Sequence, residues 1–171
     1  MRRSFAVVAL TVLVLALSAP AAQALRPDRF QPGPAPDFVV EGVCEFDVLL
    51  HDVVNKVVIT DFFDRDGNLV RESGSGLIIE EISRLDEQGD PVETITVNIS
   101  GPGQQTFDED SATLVAQGPW LFFFFPEDNI AGHPNGLIWL TMGRFVWHFD
   151  DEGVTLLSHT GTFRDVCELL A

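Results

Sequence analysis

"GLIIEEISRLDEQGDPVETITVNIS", residues 76–100, decides the reading of the chain. Two apolar-alternating runs flank Asp86-Glu87-Gln88-Gly89, a turn that opens on Asp and closes on Gly. Such a sequence suits a type I turn whose Asp side chain bonds the backbone ahead, with the Gly in the left-handed region as a bulge. Asp86 then pairs with Asp90, which sets Ile79 opposite Val97 and Leu77 opposite Ile99. Ile95, Val97 and Ile99 share one face, and Thr94, Thr96 and Asn98 the other. Turn chemistry and alternation agree on a β-hairpin.

The same turn recurs as "DRDG" (64–67) and "DDEG" (150–153), and Asp108-Glu109-Asp110 caps a fourth connection. Short alternating runs at 44–51, 54–63, 69–72, 76–84, 92–100, 104–107, 112–117, 120–126, 137–149 and 154–164 predict eight to ten strands. Only a last turn near Asp165–Leu170 reads as helix. The expected fold is all-β: a single antiparallel meander forming a closed or nearly closed barrel, with a two-sheet sandwich as the alternative.

Upstream, residues 25–41 hold four prolines and no periodicity, and read as a disordered or extended lead-in to a domain over 42–171. Residues 1–24 carry Arg2 and Arg3, an apolar stretch from Phe5 to Leu17, and Ala22-Gln23-Ala24 as a cleavage signal. The apolar stretch is too short to span a bilayer, which takes about 20 residues. It predicts a cleaved signal peptide and a secreted, extracellular protein without a membrane span. Cleavage removes two arginines and no acid, so ten basic residues fall to eight against 26 acids, and the net charge from −16 to −18. A surface of that sign repels phosphate backbones and argues against nucleic acid as a partner. The two cysteines, Cys44 and Cys167, predict one disulfide joining the first strand to the last.

Most acids are turn residues, so the charge does not by itself announce a substrate. "FFDRDGN" (62–68) fails as an EF-hand loop, with Phe62 at the first ligand position and Ser73 at the twelfth. A looser calcium site at Asp108–Asp110 stays open. Gly74-Ser75-Gly76 lacks the first Gly of a nucleophile elbow, and "SGPGQQ" (100–105) lacks the Lys of a phosphate loop. Counting from the last turn sets His159 opposite Phe145 and His148 opposite Leu156, on opposite faces, so the two cannot share a metal. No cofactor and no metal site are expected.

The aromatic residues are the remaining signal. "GPWLFFFFPED" (118–128) puts rings on both faces of one strand, and "GLIWLTMGRFVWHF" (136–149) is apolar on both parities. One parity is expected to share an interior with Trp147, the other to be covered by a loop or by the Pro-rich segment. There are fourteen Phe and three Trp but no Tyr, a composition that fits a dry interior or an apolar ligand better than a protein-recognition surface.

"NISGPG" (98–103), "GPWLFFFFPED", "GRFVWHFD" (143–150) and "TGTFRDVCELL" (160–170) resemble a set of small exported bacterial proteins of unknown activity that share G-P-W-L-F-F-F-P and R-D-V-C-like segments. The resemblance covers about residues 43–170. It implies secretion and a β domain, and carries no functional residue across.

The expectation is therefore a secreted, non-enzymatic β domain binding a small apolar ligand in an aromatic-lined interior formed by Phe122, Phe124, Trp139, Phe145, Trp147 and His159. The alternatives are a barrel hydrolase or isomerase working through His159 with an acid such as Asp165, and a cell-surface adhesion or calcium-stabilised module.

Overall fold

The structure is a computed structural model and describes residues 26–171; the signal peptide assigned to residues 1–24 lies outside them. Among the described residues eleven strands form two antiparallel sheets, without a closed barrel. The first sheet has seven strands in the order β1 (Asp28–Phe30), β4 (Val58–Phe63), β5 (Leu69–Ser75), β8 (Gly103–Phe107), β9 (Ala112–Phe124), β10 (Leu137–Asp150) and β11 (Gly153–Asp165). The second has four: β2 (Phe38–Val40), β3 (Val48–Asn55), β6 (Ile78–Leu85) and β7 (Pro91–Asn98). A single-turn helix, α1 (Val166–Leu169), follows β11 and is capped by the Asp165 carboxylate, which accepts from the Cys167 amide at 2.7 Å. The fold is all-β in its two-sheet form, and the barrel expectation is corrected: β1 and β11 remain unpaired edges of one sheet.

The reason lies in a row of glycines. Gly118, Gly143 and Gly161 are directly paired across β9, β10 and β11, each with positive φ. Glycine alone takes these conformations cheaply, so the three long strands can bend together there. The bend is nearly a reversal. Phe124 pairs with Leu137, ten residues from Trp147 along β10. That distance in a straight strand is about 33 Å, yet the Phe124 and Trp147 rings lie 4.9 Å apart. The sheet therefore folds over on its own inner face and needs no hydrogen-bonded closure to enclose a core. The runs expected at 112–117 and 120–126 are one strand, β9, bent at Gly118.

Three layers result. The outer layer holds β1, β4, β5, β8 and the halves of β9–β11 nearest the β10–β11 turn. The middle layer holds the other halves of β9–β11, and the four-stranded sheet is the third. Between outer and middle layers lie Phe122, Phe124, Trp139, Phe145 and Trp147, with Ile130 and Val154 at the open end. Between middle layer and four-stranded sheet lie Ile138, Val48, Leu50, Ile82, Val166 and Leu170, with Leu121, Phe125 and Leu140 half-buried. The second parity of "LFFFF" is partly covered, from the N-terminal side: Phe38 of β2 sits 5.7 Å from the Phe123 ring and 6.4 Å from Phe125, and Phe123 stays 37% exposed. The lead-in is extended, and contributes β1 and β2 to the sheet edges.

Cys44 and Cys167 are bonded, with Cα atoms 5.4 Å apart and 123 residues of separation. The bond ties α1 to the chain entering β3, beside the second core, instead of sealing a barrel. In the chain-entropy account a loop of this length contributes about 5 kcal/mol.

Asp86 and Asp90 pair as the turn chemistry requires, the Asp86 amide donating to the Asp90 carbonyl at 3.0 Å. A bulge between Arg84 and Leu85 then shifts the ladder by one residue. Ile79 faces Asn98, not Val97, and it is Glu80 and Ile82 that share a face with Val97 and Ile95. A slip of one moves every side chain to the opposite face, so this bulge carries a glutamate into the core side of the sheet. In the last hairpin Asp150 pairs with Gly153, not Val154, and His148 with Thr155, not Leu156. A compensating shift between Val146 and Trp147 restores His159 to its expected place opposite Phe145.

Candidate functional site

The inner face of the seven-stranded sheet brings five of the six expected site residues into one cluster. Phe122 and Phe124 project from the middle layer, and Phe145 and Trp147 from the outer layer. Phe122 to Trp147 is 5.4 Å between ring centroids, Phe122 to Phe145 6.3 Å, and Trp139 to Trp147 6.3 Å. Phe145 and Trp147 have no exposed surface, so the rings fill this interior with each other. Each such pair adds about 0.5–1.5 kcal/mol beyond its area burial.

The sixth residue, His159, stands outside the cluster. It is exposed and lies flat against Phe145, with centroids 5.5 Å apart and planes 15° from parallel. Sequence reading missed Phe163, which continues the stack: it sits 4.4 Å from Trp139 at 16° and 6.1 Å from His159 edge-on, and is 46% exposed. His133, from the loop before β10, meets Trp139 edge-on at 4.9 Å. A continuous run of rings thus leads from the fully buried Trp147 to solvent at edge strand β11. Alternation along "TGTFRD" would have placed Phe163 beside His159, had the register been carried four residues further.

Two indole donors in this region, Trp147 Nε1 and Trp120 Nε1, are buried without an acceptor. A buried donor without a partner costs about 1–3 kcal/mol. Trp120 lies over Gly101 and Gly103, where a Cβ on either glycine would collide with its ring.

Acid–base chemistry has no assembled pair at His159. Asp165, its expected partner, spends its carboxylate on the cap of α1, and His159 makes no side-chain hydrogen bond among the described residues. His148, on the opposite face, contacts Thr113 at 3.2 Å and Asp150 at 3.3 Å. Among the described residues no three metal-ligating side chains converge, and no helix is long and apolar enough to cross a membrane.

The most perturbed acid is Glu80, which the bulge turns toward the middle layer and which is only 8% exposed. Burial, and after it the Asp52 carboxylate directly across the ladder, push its carboxyl from the ordinary 4.5 up to about 7; His51 acts in the opposite sense. The native state therefore keeps a proton that the unfolded chain has already released between pH 4.5 and pH 7. The stability due to this group is complete below pH 4.5 and is lost as pH rises through that window, by about 3 kcal/mol for a shift of this size. Glu80→Gln should be more stable than the parent by about 2–3 kcal/mol at pH 8 and no different at pH 4, read from denaturant unfolding at both pH values. Equal differences at the two would show that Glu80 ionises normally in the fold.

Comparison with known protein families, with curated proteins and with solved structures finds no match for this chain.

Proposed function

We propose that the protein is a secreted, non-enzymatic binding domain that takes a small, largely apolar ring-bearing ligand against its aromatic interior. The observation that carries this reading is the continuous stack from buried Trp147 through Trp139 to exposed Phe163 and His159. An exposed ring lying flat on a buried one offers a second face of the same kind to a ligand, and offset stacking is worth about 0.5–1.5 kcal/mol per pair. The use of the Asp165 carboxylate on the cap of α1, and the lack of any side-chain hydrogen bond to His159 among the described residues, favour binding over hydrolysis or isomerisation.

A neutral hydrophobic dye such as N-phenyl-1-naphthylamine tests the reading, because the molecule's negative charge does not repel it. The dye should bind saturably and quench indole emission. Phe163→Ala should weaken binding about tenfold while costing only about 1 kcal/mol of unfolding free energy, as expected for a half-exposed ring. Dye binding unchanged in Phe163→Ala, or absent from the parent, would remove the reading.

A further inference from the structure

Charge is segregated across the seven-stranded sheet. Directly paired residues share a face, so the ladders can be read strand to strand. On the inner face one row runs Asp28, Asp61, Glu72, Gln105, Leu114, Trp147. Its acids crowd one another: burial first, and Asp61 second, raise the Glu72 carboxyl above its ordinary value. The outer face one residue away runs Arg29, Thr60, Ser73, Gln104, Val115, Val146. The rows on either side of it are Phe62, Arg71, Thr106, Thr113, His148 and, toward the bend, Gln117, Arg144, Thr160. None of these outer-face rows contains an Asp or Glu, in a chain with 26 of them.

The cations on this face are also free of the protein's own acids. Among the described residues both ion pairs are histidine–aspartate contacts, and no Lys or Arg takes part in one. A groove of about 470 Å³ opens here, lined by Arg29, Thr60, Ser73, Ser75, Gln104 and Gln117 over Val58 and Val115. That volume lies in the range of small-molecule sites.

We propose that this groove binds an oligosaccharide bearing a sugar acid, at a site separate from the aromatic stack. Three hydroxyls and two primary amides each both donate and accept, which matches a polyhydroxylated ligand whose every hydroxyl does the same. The Arg29 guanidinium, on edge strand β1, presents a fork suited to one carboxylate. The molecule's net negative charge repels a dense polyanion such as a polyphosphate, so the ligand spaces its charge at no more than one carboxylate per sugar ring on a polyol frame. The carboxylate-free lining removes local repulsion where that charge must sit.

The experiment is an NMR titration of the purified, disulfide-bonded protein with trigalacturonate, alongside its fully methyl-esterified form and acetate. The expected result is saturable shifts of the Thr60, Ser73 and Gln104 amides. Affinity should fall about tenfold for the ester and for Arg29→Gln. Arg65→Gln, in the β4–β5 turn outside the groove, should bind as the parent does. The proposal is overturned by no saturable shift at millimolar trigalacturonate, by shifts confined to Trp139 and Phe163, by acetate alone reproducing them, or by equal weakening in the two arginine variants. Self-association through this face without added sugar would also overturn it, by assigning the groove to a second copy.

Discussion

Alanine substitutions along Phe122 to Phe125 should give stability losses that alternate. Phe122→Ala and Phe124→Ala remove rings that are 5% and 8% exposed and that touch Trp147 from the facing layer. The cavity left behind cannot collapse easily, because both walls are strands of one folded sheet; about 3–5 kcal/mol is expected for each. Phe123 is 37% exposed and rests on Phe38 of a three-residue edge strand, so Phe123→Ala should cost about 1 kcal/mol. Phe125, half-buried at the edge of the second core, should fall between, at about 1–3 kcal/mol. Urea unfolding midpoints at constant slope give the four values. A Phe123 loss equal to that of Phe122 would mean that the outer face of the middle layer is as tightly filled as the inner one.

A larger effect is expected at the bend. A Cβ on Gly143 would collide with the Thr160 carbonyl oxygen and lie 2.8 Å from the Gly161 Cα; one on Gly161 would meet the Met142 carbonyl oxygen in the same way. Their φ values, +134° and +122°, are ones L side chains avoid. Strain and backbone collision act together at a point where the neighbouring strand cannot retreat without opening the core. Gly143→Ala should cost at least about 4 kcal/mol and abolish the cooperative thermal transition seen by near-ultraviolet circular dichroism. Gly89→Ala is the control. Its φ is also positive, at +84°, but its Cβ would enter open space, so only about 1 kcal/mol should be lost. A cooperative Gly143→Ala with a loss no greater than that of Gly89→Ala would contradict the folded-over sheet.

These two experiments bear on features of unequal legibility. The turns could be read from the chain because their chemistry is local: Asp64, Asp86 and Asp150 each hold the amides of the next few residues on their own carboxylates. Alternation gave the strands and the inward parity of Phe122 and Phe124 for the same reason. The bend was not legible. A glycine inside a strand says only that the backbone is free there, and three glycines 18 to 25 residues apart become one corner only when the register of three strands lines them up. Bulges are hidden likewise: the extra residue is Val92, between Pro91 and Glu93, and nothing in its identity announces that it exchanges Ile79 for Glu80 on the core side. The three carboxylate-free rows depend on the register of six strand pairs at once, and an acidic composition conceals them.

The disulfide has a consequence for the order of events in making the molecule. Synthesis runs from the N-terminus, so Cys44 emerges 123 residues ahead of the only thiol it can join. Until Cys167 arrives every strand pairing is reversible, and the chain can sample and discard registers. There is no third cysteine to trap a wrong pairing, so an oxidant alone suffices and no reshuffling step is required. Once made, the bond converts the strands between into a covalent ring. A single proteolytic cut within that ring opens it without releasing a fragment, and the severed halves stay at high effective concentration. A domain so built tolerates nicking at its exposed turns, and mass analysis of a clipped sample should show two pieces only after reduction.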